Sequence, residues 1–573
     1  MRKHFLYSSN KNTSVFDPAG IAPLVRLLIV TCACLPSSVL AEPLDGDPAV
    51  ALLGPDVSPA KAIDFYVDQK LQELQITQTY PASPHALLRR ITLDLAGRAP
   101  TSSEINKYLG PRDSLRLQPL ISETMASPWY VRHTARELNG LLKGMGSNGP
   151  ELMDYLVDAV SDNRPWDTMF RELVGVSPAK FKPERFVLGR LKDRDLLTRD
   201  VSSIYFGLNI SCAQCHTHPY VDTMTQAYFY GMKSFFVRSY DFEGHLLERT
   251  YANKLQYEPM GEAARRAEVM FLSGEVVPSD PPAVPDLKQA IAREEREIEA
   301  LRKRFKEARQ RDSLAQPEIP SDAAMNLRNR FVEVALSPRN QPRFASSIVN
   351  RMWHRFMGYG LVMRIDQMHA GNPASHPELL QWLTRDFIDH KFDLNRLTRA
   401  LVGSRAYARS STWEAASPPP AEAFAVAAVR PLTPMQMGLS MLVAGEDLQV
   451  GNRPPEPLEG RIQAVEEEAL ALFADVFEDP YDGIQFNAAE ALAMSNDATR
   501  LAEVGRTLVD ALLDISDAEQ QVEQAVLSVL GRPAVSEEKA WLTAHLAGRD
   551  DPREGLRQIV WALFTCSEFR FNH

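Results

Sequence analysis

A chain of 573 residues is too long for one compact hydrophobic core, so its length predicts two or three domains. Hydrophobic residues make up 45% and charged residues 24% of the sequence, which is the ordinary composition of a globular protein. The net charge is −11, and no basic stripe with interleaved aromatic residues is present, so the sequence argues against nucleic acid as a partner.

The N-terminal 41 residues have the pattern of a signal peptide. Basic residues precede a short apolar run over 27–35, and Ala41 ends a small-residue cleavage site. The apolar run is too short to span a bilayer. The sequence therefore predicts a periplasmic or secreted protein with no transmembrane span after cleavage, and a linker over 42–57.

From Ser58 onwards, the sequence predicts helices separated by turns. Arg90 and Asp94 stand four residues apart in one helical stretch, which is the spacing of an ion pair. Thr101 and Glu104 form a capping box that should begin the next helix. Strand-like alternation is scarce throughout, so we expect a mainly α fold with two helix-rich domains joined by a charged insert.

The densest group of reactive side chains comprises Cys212, Cys215 and His216. Two thiols three positions apart, followed directly by histidine, have the spacing of a c-type haem attachment site. Each thiol can add to one vinyl group of a haem, and the adjacent imidazole then reaches the iron from the proximal side. The spacing therefore predicts a cofactor or redox site.

Two other interpretations of the same motif stay open. His218 extends it to Cys-x-x-Cys-His-x-His, which supplies four potential zinc ligands. Cys212 and Cys215 could instead form a disulfide or remain unmodified, although no thioredoxin-like strand–helix pattern surrounds them. The alternatives are thus covalent haem, a metal ion such as zinc without haem, and no cofactor at all.

A haem iron bound by His216 would need a sixth ligand from elsewhere in the chain. Met224 and Met232 are close in sequence, and thioether ligation would raise the reduction potential relative to a second imidazole. Methionines beside aromatic residues are also typical core residues. His218 cannot easily reach the opposite face of a macrocycle, so we expect it to form hydrogen bonds near the site or, without haem, to bind a metal.

The middle of the chain, residues 261–320, is predicted to be a Pro-rich turn followed by a highly charged helix. Apolar residues in this helix follow heptad spacing for about three heptads, interrupted by Glu294. They are Leu287, Ile291, Ile298, Leu301, Phe305 and Ala308. The pattern predicts a coiled-coil-like arm that either folds back on its neighbours or pairs with a second chain.

Further helices are predicted in the second half. His369 and His376 flank a Gly-Asn-Pro loop in this region. Loops of this kind often carry function. The second histidine could equally mark only the start of the next helix.

Several long motifs of the first half resemble one known family. They are LLRRITLDLAGRAPTSSE (87–104), SPWY (127–130), NRPWD (163–167), GLNISCAQCHTHPY (207–220) and the aromatic cluster 228–231. These motifs resemble the planctomycete cytochrome-like family catalogued as domain of unknown function 1549. The second half resembles its usual companion, domain of unknown function 1553, over VNRMWHRFMGYGLV (349–362), SHPELL (375–380) and WALFTCSEFRFNH (561–573).

The resemblance implies a cytochrome-like domain over 58–260 and a helical companion domain over 321–573, and we expect the two to pack as one unit. The family name records the Cys-x-x-Cys-His signature, but the resemblance implies no defined biochemical role. Thr217 stands where many relatives carry Asp, so this chain offers no acid at that position to orient His216.

Two functions follow from these observations. The first is an exported c-type haem protein that transfers electrons, or the redox part of a periplasmic oxidoreductase, whose partner is a redox protein or a small electron donor or acceptor. The second is a non-catalytic binding or scaffold protein whose Cys/His cluster is a structural metal or disulfide site. The sequence does not decide whether the protein is an enzyme.

Overall fold

The computed structural model describes residues 52–110, 114–144, 152–176, 180–251, 254–259, 261–279, 283–310, 326–446, 458–473 and 505–573. The predicted signal peptide, most of the linker and the end of the charged insert lie outside the described residues. No helix in the described ranges is long and apolar enough to cross a membrane.

Helices account for most of the described chain. In the first half they are Pro59–Glu73, Pro84–Ala96, Ser102–Tyr108, Leu117–Ala126, Pro128–Lys143, Met153–Ser161, Trp166–Val174, Arg185–Leu188, Arg194–Phe206 and Gln226–Ser234. In the remainder they are Leu287–Gln310, Leu327–Ala335, Gln341–Met357, Pro377–Asp389, Leu394–Val402, Pro434–Glu446, Ile462–Phe473, Arg506–Leu513, Ala518–Leu530, Ser536–Ala547, Pro552–Thr565 and Ser567–Arg570. The predicted mainly α fold is confirmed.

Strands within the described ranges form only short antiparallel pairs. These pairs are Leu109–Gly110 with Ser114–Leu115, Ser239–Phe242 with His245–Glu248, Gln256–Tyr257 with Arg265–Arg266, and Arg430–Pro431 with Phe571–Asn572. The last pair joins the C-terminus to the middle of the second half.

Local signals begin and end the helices where the sequence predicts them. The backbone N–H of Glu104 donates to the Thr101 hydroxyl at 3.1 Å, and the backbone N–H of Thr101 donates to the Glu104 carboxylate at 2.8 Å. This capping box satisfies donors that the first turn of a helix leaves free. Gly97 ends the preceding helix in the left-handed conformation, at φ 72°.

The predicted ion pair between Arg90 and Asp94 does not form. Arg90 donates instead to the backbone carbonyl of Tyr407. The Asp94 carboxylate accepts hydrogen bonds from the Tyr407 hydroxyl at 2.6 Å, from Arg430 at 2.7 Å and from Asn572 at 2.9 Å. Both side chains are buried, so each has to satisfy its polar atoms with whatever the tertiary structure brings nearby.

One hydrophobic cluster runs through both halves of the chain. Its buried members extend from Ala62 to Val277 and continue from Leu327 to Ala425. Phe344, on helix Gln341–Met357, lies with its ring centroid 5.0 Å from that of Phe170 in the first half. The two halves therefore share a core, as expected for a single packed unit. A second cluster is built mainly by the C-terminal helices.

The charged helix Leu287–Gln310 folds back on the hairpin Ser239–Glu248. Phe305 is buried with its ring centroid 5.2 Å from that of Phe242. The Glu294 carboxylate accepts hydrogen bonds from the backbone N–H groups of Thr250 at 2.6 Å and Tyr251 at 3.0 Å. The acidic residue that interrupts the heptads is thus one of the points at which the helix is attached to its neighbours. Pairing with a second chain stays a prediction.

Candidate functional site

The Cys-x-x-Cys-His motif lies directly after helix Arg194–Phe206. Gly207 ends this helix with φ +61°, and a Cβ atom at this position would lie 2.5 Å from the sulfur of Met368. The Asn209 side chain then accepts hydrogen bonds from the backbone N–H and the hydroxyl of Ser211, at 3.1 and 2.7 Å. These contacts reverse the chain and begin the 3₁₀ helix Ser211–Gln214 that carries the first thiol.

Cys212 lies in this helix, and Cys215 directly follows its last residue. The backbone N–H of Cys215 donates to the Cys212 carbonyl at 3.3 Å. This hydrogen bond has the 3₁₀ pattern, in which side chains three apart eclipse one another, so we expect both thiols on the same side of the turn. Both are exposed and neither forms a disulfide, whereas Ala213 between them is fully buried. The turn is therefore anchored in the core and presents two accessible sulfur atoms.

His216 is exposed, and only one of its two ring nitrogens has a partner within the described ranges. Nδ1 lies 2.7 Å from the backbone carbonyl of Thr217. Because a carbonyl only accepts hydrogen bonds, Nδ1 carries the proton and Nε2 keeps its lone pair. Metal-ligating histidines are usually oriented in this way. In this chain the backbone carbonyl of Thr217 orients the His216 ring, because residue 217 has no carboxylate that could do so.

His218 is buried, and both of its ring nitrogens are used. Nε2 donates to the Asn209 carbonyl at 3.2 Å, and Nδ1 accepts from the backbone N–H of Tyr220 at 3.3 Å. Burial lowers the pKa of His218, against an opposing effect of the Asn209 hydrogen bond, so the ring is neutral. His218 holds the loop together, and metal binding would cost it one of these hydrogen bonds.

Met224 and Met232 both belong to the large hydrophobic cluster, where they are 4% and 0% exposed. The two thiols lie at the surface. The burial of the methionines matches their alternative interpretation as core residues. A role as the sixth iron ligand stays a prediction.

The four potential zinc ligands of the motif are not assembled around one point. His218 is buried and engaged, whereas Cys212, Cys215 and His216 are exposed. Across the described ranges, no group of three or more His, Cys, Asp or Glu side chains could hold a metal ion. Haem attachment requires only two accessible thiols and one free imidazole nitrogen, and the residues present meet both conditions.

Two helices of the first half also contact the turn that carries the two cysteines. The Gln214 side chain donates to Asp195 at 3.1 Å, and Lys233 forms an ion pair with the same carboxylate at 2.6 Å. Tyr230 lies close enough to Cys215 for the thiol to contribute to the raised pKa of the phenol, after burial and Asp195. The turn is thus braced between helices Arg194–Phe206 and Gln226–Ser234.

A loop of the second half also contacts the chain just before the cysteines. The sequence did not predict this contact. The backbone N–H of Asn209 donates to the Asp366 carbonyl at 2.8 Å, and that of Met368 donates to the Gly207 carbonyl at 2.8 Å. Leu208 and Gln367 pair between them as an antiparallel bridge. The only sequence signal for this contact is the polar Gly-Asn-Pro loop that follows it.

His369 is brought to the motif by the same contact. Its ring centroid lies 6.0 Å from that of His218 and 5.7 Å from that of Tyr220, whose ring is nearly parallel to it at 4°. His376, on the other side of the loop, instead contacts Ser375 at 3.0 Å and the ring of Phe424. The two histidines that look alike in sequence therefore have different surroundings.

Comparison with known families agrees with the motifs. Residues 62–241 match the family described as PSCyt2, Protein of unknown function (DUF1549). Residues 327–473 match the family described as PSD1, Protein of unknown function (DUF1553). No curated protein and no solved structure matches the chain. The chain therefore combines a planctomycete-type DUF1549 domain, which carries the Cys-x-x-Cys-His turn, with a DUF1553 domain, which carries the loop that holds this turn in place.

Proposed function

We propose that the protein is an exported c-type haem protein that transfers electrons, alone or as the redox part of a periplasmic oxidoreductase. The observation that supports this most strongly is the chemistry of one turn. Cys212 and Cys215 are exposed and three positions apart, and the next residue, His216, has its Nε2 lone pair free.

The attachment chemistry needs nothing beyond these side chains and the two vinyl groups. The thiols of Cys212 and Cys215 would each add across one vinyl double bond, with the sulfur bonding to one vinyl carbon and the thiol hydrogen going to the other. No oxidant or reductant is consumed. His216 would bind iron through Nε2 while the Thr217 carbonyl holds its Nδ1–H. The bound haem would supply a one-electron couple.

The exposure of the anchors is compatible with electron exchange at the protein surface. Cys212, Cys215 and His216 are all exposed, so a redox protein or a small electron donor could approach the cofactor directly. The buried His218 and Ala213 would keep the turn rigid beneath it. Hydrogen bonds to the axial ligand, such as the one from His216 Nδ1 to the Thr217 carbonyl, are among the means by which a protein tunes a haem potential.

To test the proposal, the protein is expressed in the periplasm of a host that has cytochrome c maturation machinery. Covalently bound haem is then detected as haem that stays with the protein in denaturing electrophoresis. Wild-type protein should be red and retain haem, and the double change Cys212→Ala, Cys215→Ala should abolish it. Cys566→Ala, which removes a thiol outside the motif, should retain haem. His216→Ala should keep the thioether bonds and change the absorption spectrum, and His218→Ala should keep them too.

Wild-type protein that emerges colourless, with stoichiometric zinc or an intact Cys212–Cys215 disulfide, would overturn the proposal. It would favour a scaffold protein with a structural Cys/His cluster instead.

A further inference from the structure

We propose that Arg343, His369 and Tyr220 form a binding site for one carboxylate or phosphate group beside the Cys-x-x-Cys-His turn. The site lies where the two domains meet. It does not depend on the haem proposal, because none of its residues takes part in attachment.

Arg343 supplies a cation that is not neutralised by its surroundings. Its guanidinium donates one hydrogen bond, to the Met368 carbonyl at 3.0 Å, and forms no ion pair with any carboxylate in the described ranges. Burial alone lowers its pKa to about 10, so it is still charged at neutral pH. A largely buried cation without a counter-ion is costly, and an anionic ligand would offset that cost.

His369 supplies a second polar group with unused capacity. Its side chain is 7% exposed, and its Nδ1 is buried with no hydrogen-bond partner within the described ranges. His369 directly follows Met368, whose carbonyl holds Arg343. In the tautomer with Nδ1 protonated, it can donate to an anion that the guanidinium binds.

Tyr220 and Gly371 shape the space around this nitrogen. Tyr220 is 69% exposed although its ring lies flat against that of His369, so it covers one face of the imidazole from the protein surface. A Cβ atom at Gly371 would lie 3.3 Å from the His369 Nδ1 and 3.5 Å from the Tyr220 carbonyl. A side chain at Gly371 would therefore crowd Nδ1, and the glycine avoids this.

The charges favour an anion over a metal cation. The neighbouring His218 has both ring nitrogens engaged. The Asp366 carboxylate accepts from the Asn209 side chain at 3.2 Å and acts electrostatically on Arg351. Arg343 acts electrostatically on His369, and its planar guanidinium can bind carboxylate or phosphate through two parallel hydrogen bonds.

Two sources could supply this anion, namely a free small molecule or a propionate of a haem attached at the neighbouring turn. The first arm of the test uses the full-length Cys212→Ala, Cys215→Ala protein, which cannot hold covalent haem. Acetate and inorganic phosphate are titrated separately by calorimetry. A free anion source predicts saturable binding of at least one of them, weakened about tenfold by Arg343→Gln because a charge-assisted pair is lost.

Two further variants make the first arm specific. Gly371→Ala keeps the charge but fills the space beside His369, so it should also weaken binding. Arg330→Gln removes an exposed arginine that already pairs with Glu333, so it should leave the affinity unchanged. Thermal melts show whether each variant is folded.

The second arm uses haem-loaded protein. If a propionate occupies the site, the titrated anions no longer bind, and Arg343→Gln lowers the reduction potential, because a cation near the iron favours the reduced state. If the anion is a free ligand, binding persists after haem attachment. The proposal is overturned if neither anion binds the haem-free protein and Arg343→Gln leaves the potential of the loaded protein unchanged. Should the protein carry no haem, the first arm alone decides, and lack of binding overturns the proposal.

Discussion

At the scale of single residues, the motif shows that identical side chains two positions apart have different uses. His216 is exposed with one nitrogen free, whereas His218 is buried with both nitrogens hydrogen-bonded. The difference lies in the backbone groups that surround each ring, because carbonyls and N–H groups select the tautomer. Residue type and spacing alone do not distinguish a histidine with a free ring nitrogen from one that supports the loop.

Burial of neutral histidines makes stability depend on pH. Burial, with a smaller effect of Lys70, lowers the pKa of His376 from the ordinary 6.5 to about 4. As the pH falls, the unfolded chain therefore binds this proton before the folded chain does. The stability that the neutral His376 allows is complete above pH 6.5 and is lost as the pH falls towards 4. We expect His376→Gln to lose less stability than wild type over this interval, by roughly 3 kcal/mol at most.

Urea unfolding of both proteins at pH 7 and pH 4 measures this difference. Gln381→Ala, a change at an exposed, non-titrating residue of the helix that follows His376, is the control and should keep the wild-type pH dependence. Equal losses in wild type and His376→Gln would show that His376 is not responsible.

At the scale of elements, the turn depends on close backbone contact between two loops. Gly207 adopts φ +61° and a Cβ there would lie 2.5 Å from the Met368 sulfur. Met368 in turn donates its N–H to the Gly207 carbonyl at 2.8 Å. The absence of a side chain at Gly207 therefore serves both the helix end and the contact between domains.

We expect Gly207→Ala to destabilise the protein by more than the roughly 1 kcal/mol that left-handed backbone strain alone costs. Gly244→Ala is a matched control, because Gly244 has φ +84° and nothing within 4 Å of a Cβ. Denaturant unfolding of both variants separates strain from steric clash. Adding Met368→Ala should recover part of the loss in Gly207→Ala. Equal destabilisation of the two glycine variants would argue against the clash.

The charged helix offers a second prediction at this scale. Glu294→Leu would complete the heptad pattern, so it should stabilise a helix that pairs with a second chain. In the folded-back arrangement it should instead destabilise by about 1–3 kcal/mol, because two backbone N–H groups lose their acceptor. Thermal unfolding with sedimentation tests this, and Glu297→Leu on the exposed side of the helix is the control. A more stable, dimeric Glu294→Leu protein would favour the coiled coil.

At the scale of the whole molecule, the two domains share one core. The large hydrophobic cluster takes buried side chains from 62–277 and from 327–425, and the site itself has groups from both. A domain cut from this arrangement would expose apolar surface that its partner now covers. The division into two families in sequence is therefore not a division into two separate cores.

Expression of 60–260 and 321–573 as separate chains tests this sharing. We expect each piece alone to aggregate or to melt without a cooperative transition, and co-expression to improve solubility, because the shared apolar surface is covered again. The full chain from the same host is the control. Two soluble pieces that fold cooperatively and do not associate would show that the domains are independent.

The sequence by itself determined the features that depend on near neighbours. The mainly α fold, the capping box of Thr101 and Glu104, and the Cys-x-x-Cys-His spacing all follow from residues within one or two turns of each other. The family motifs likewise identified both domains and their order. Helix formation and capping depend on residues that are close together in the chain, so they can be predicted from the sequence.

Only the tertiary structure decided which distant groups meet. Asn209 and Asp366 are 157 positions apart in the chain, yet they join the two loops, and the same contact places His369 beside His218. Asp94 is satisfied by Tyr407, Arg430 and Asn572 rather than by the residue four positions before it. The physical reason is burial: once water is excluded, each polar group must pair with whatever the packed core brings within hydrogen-bond distance, and sequence spacing does not encode that.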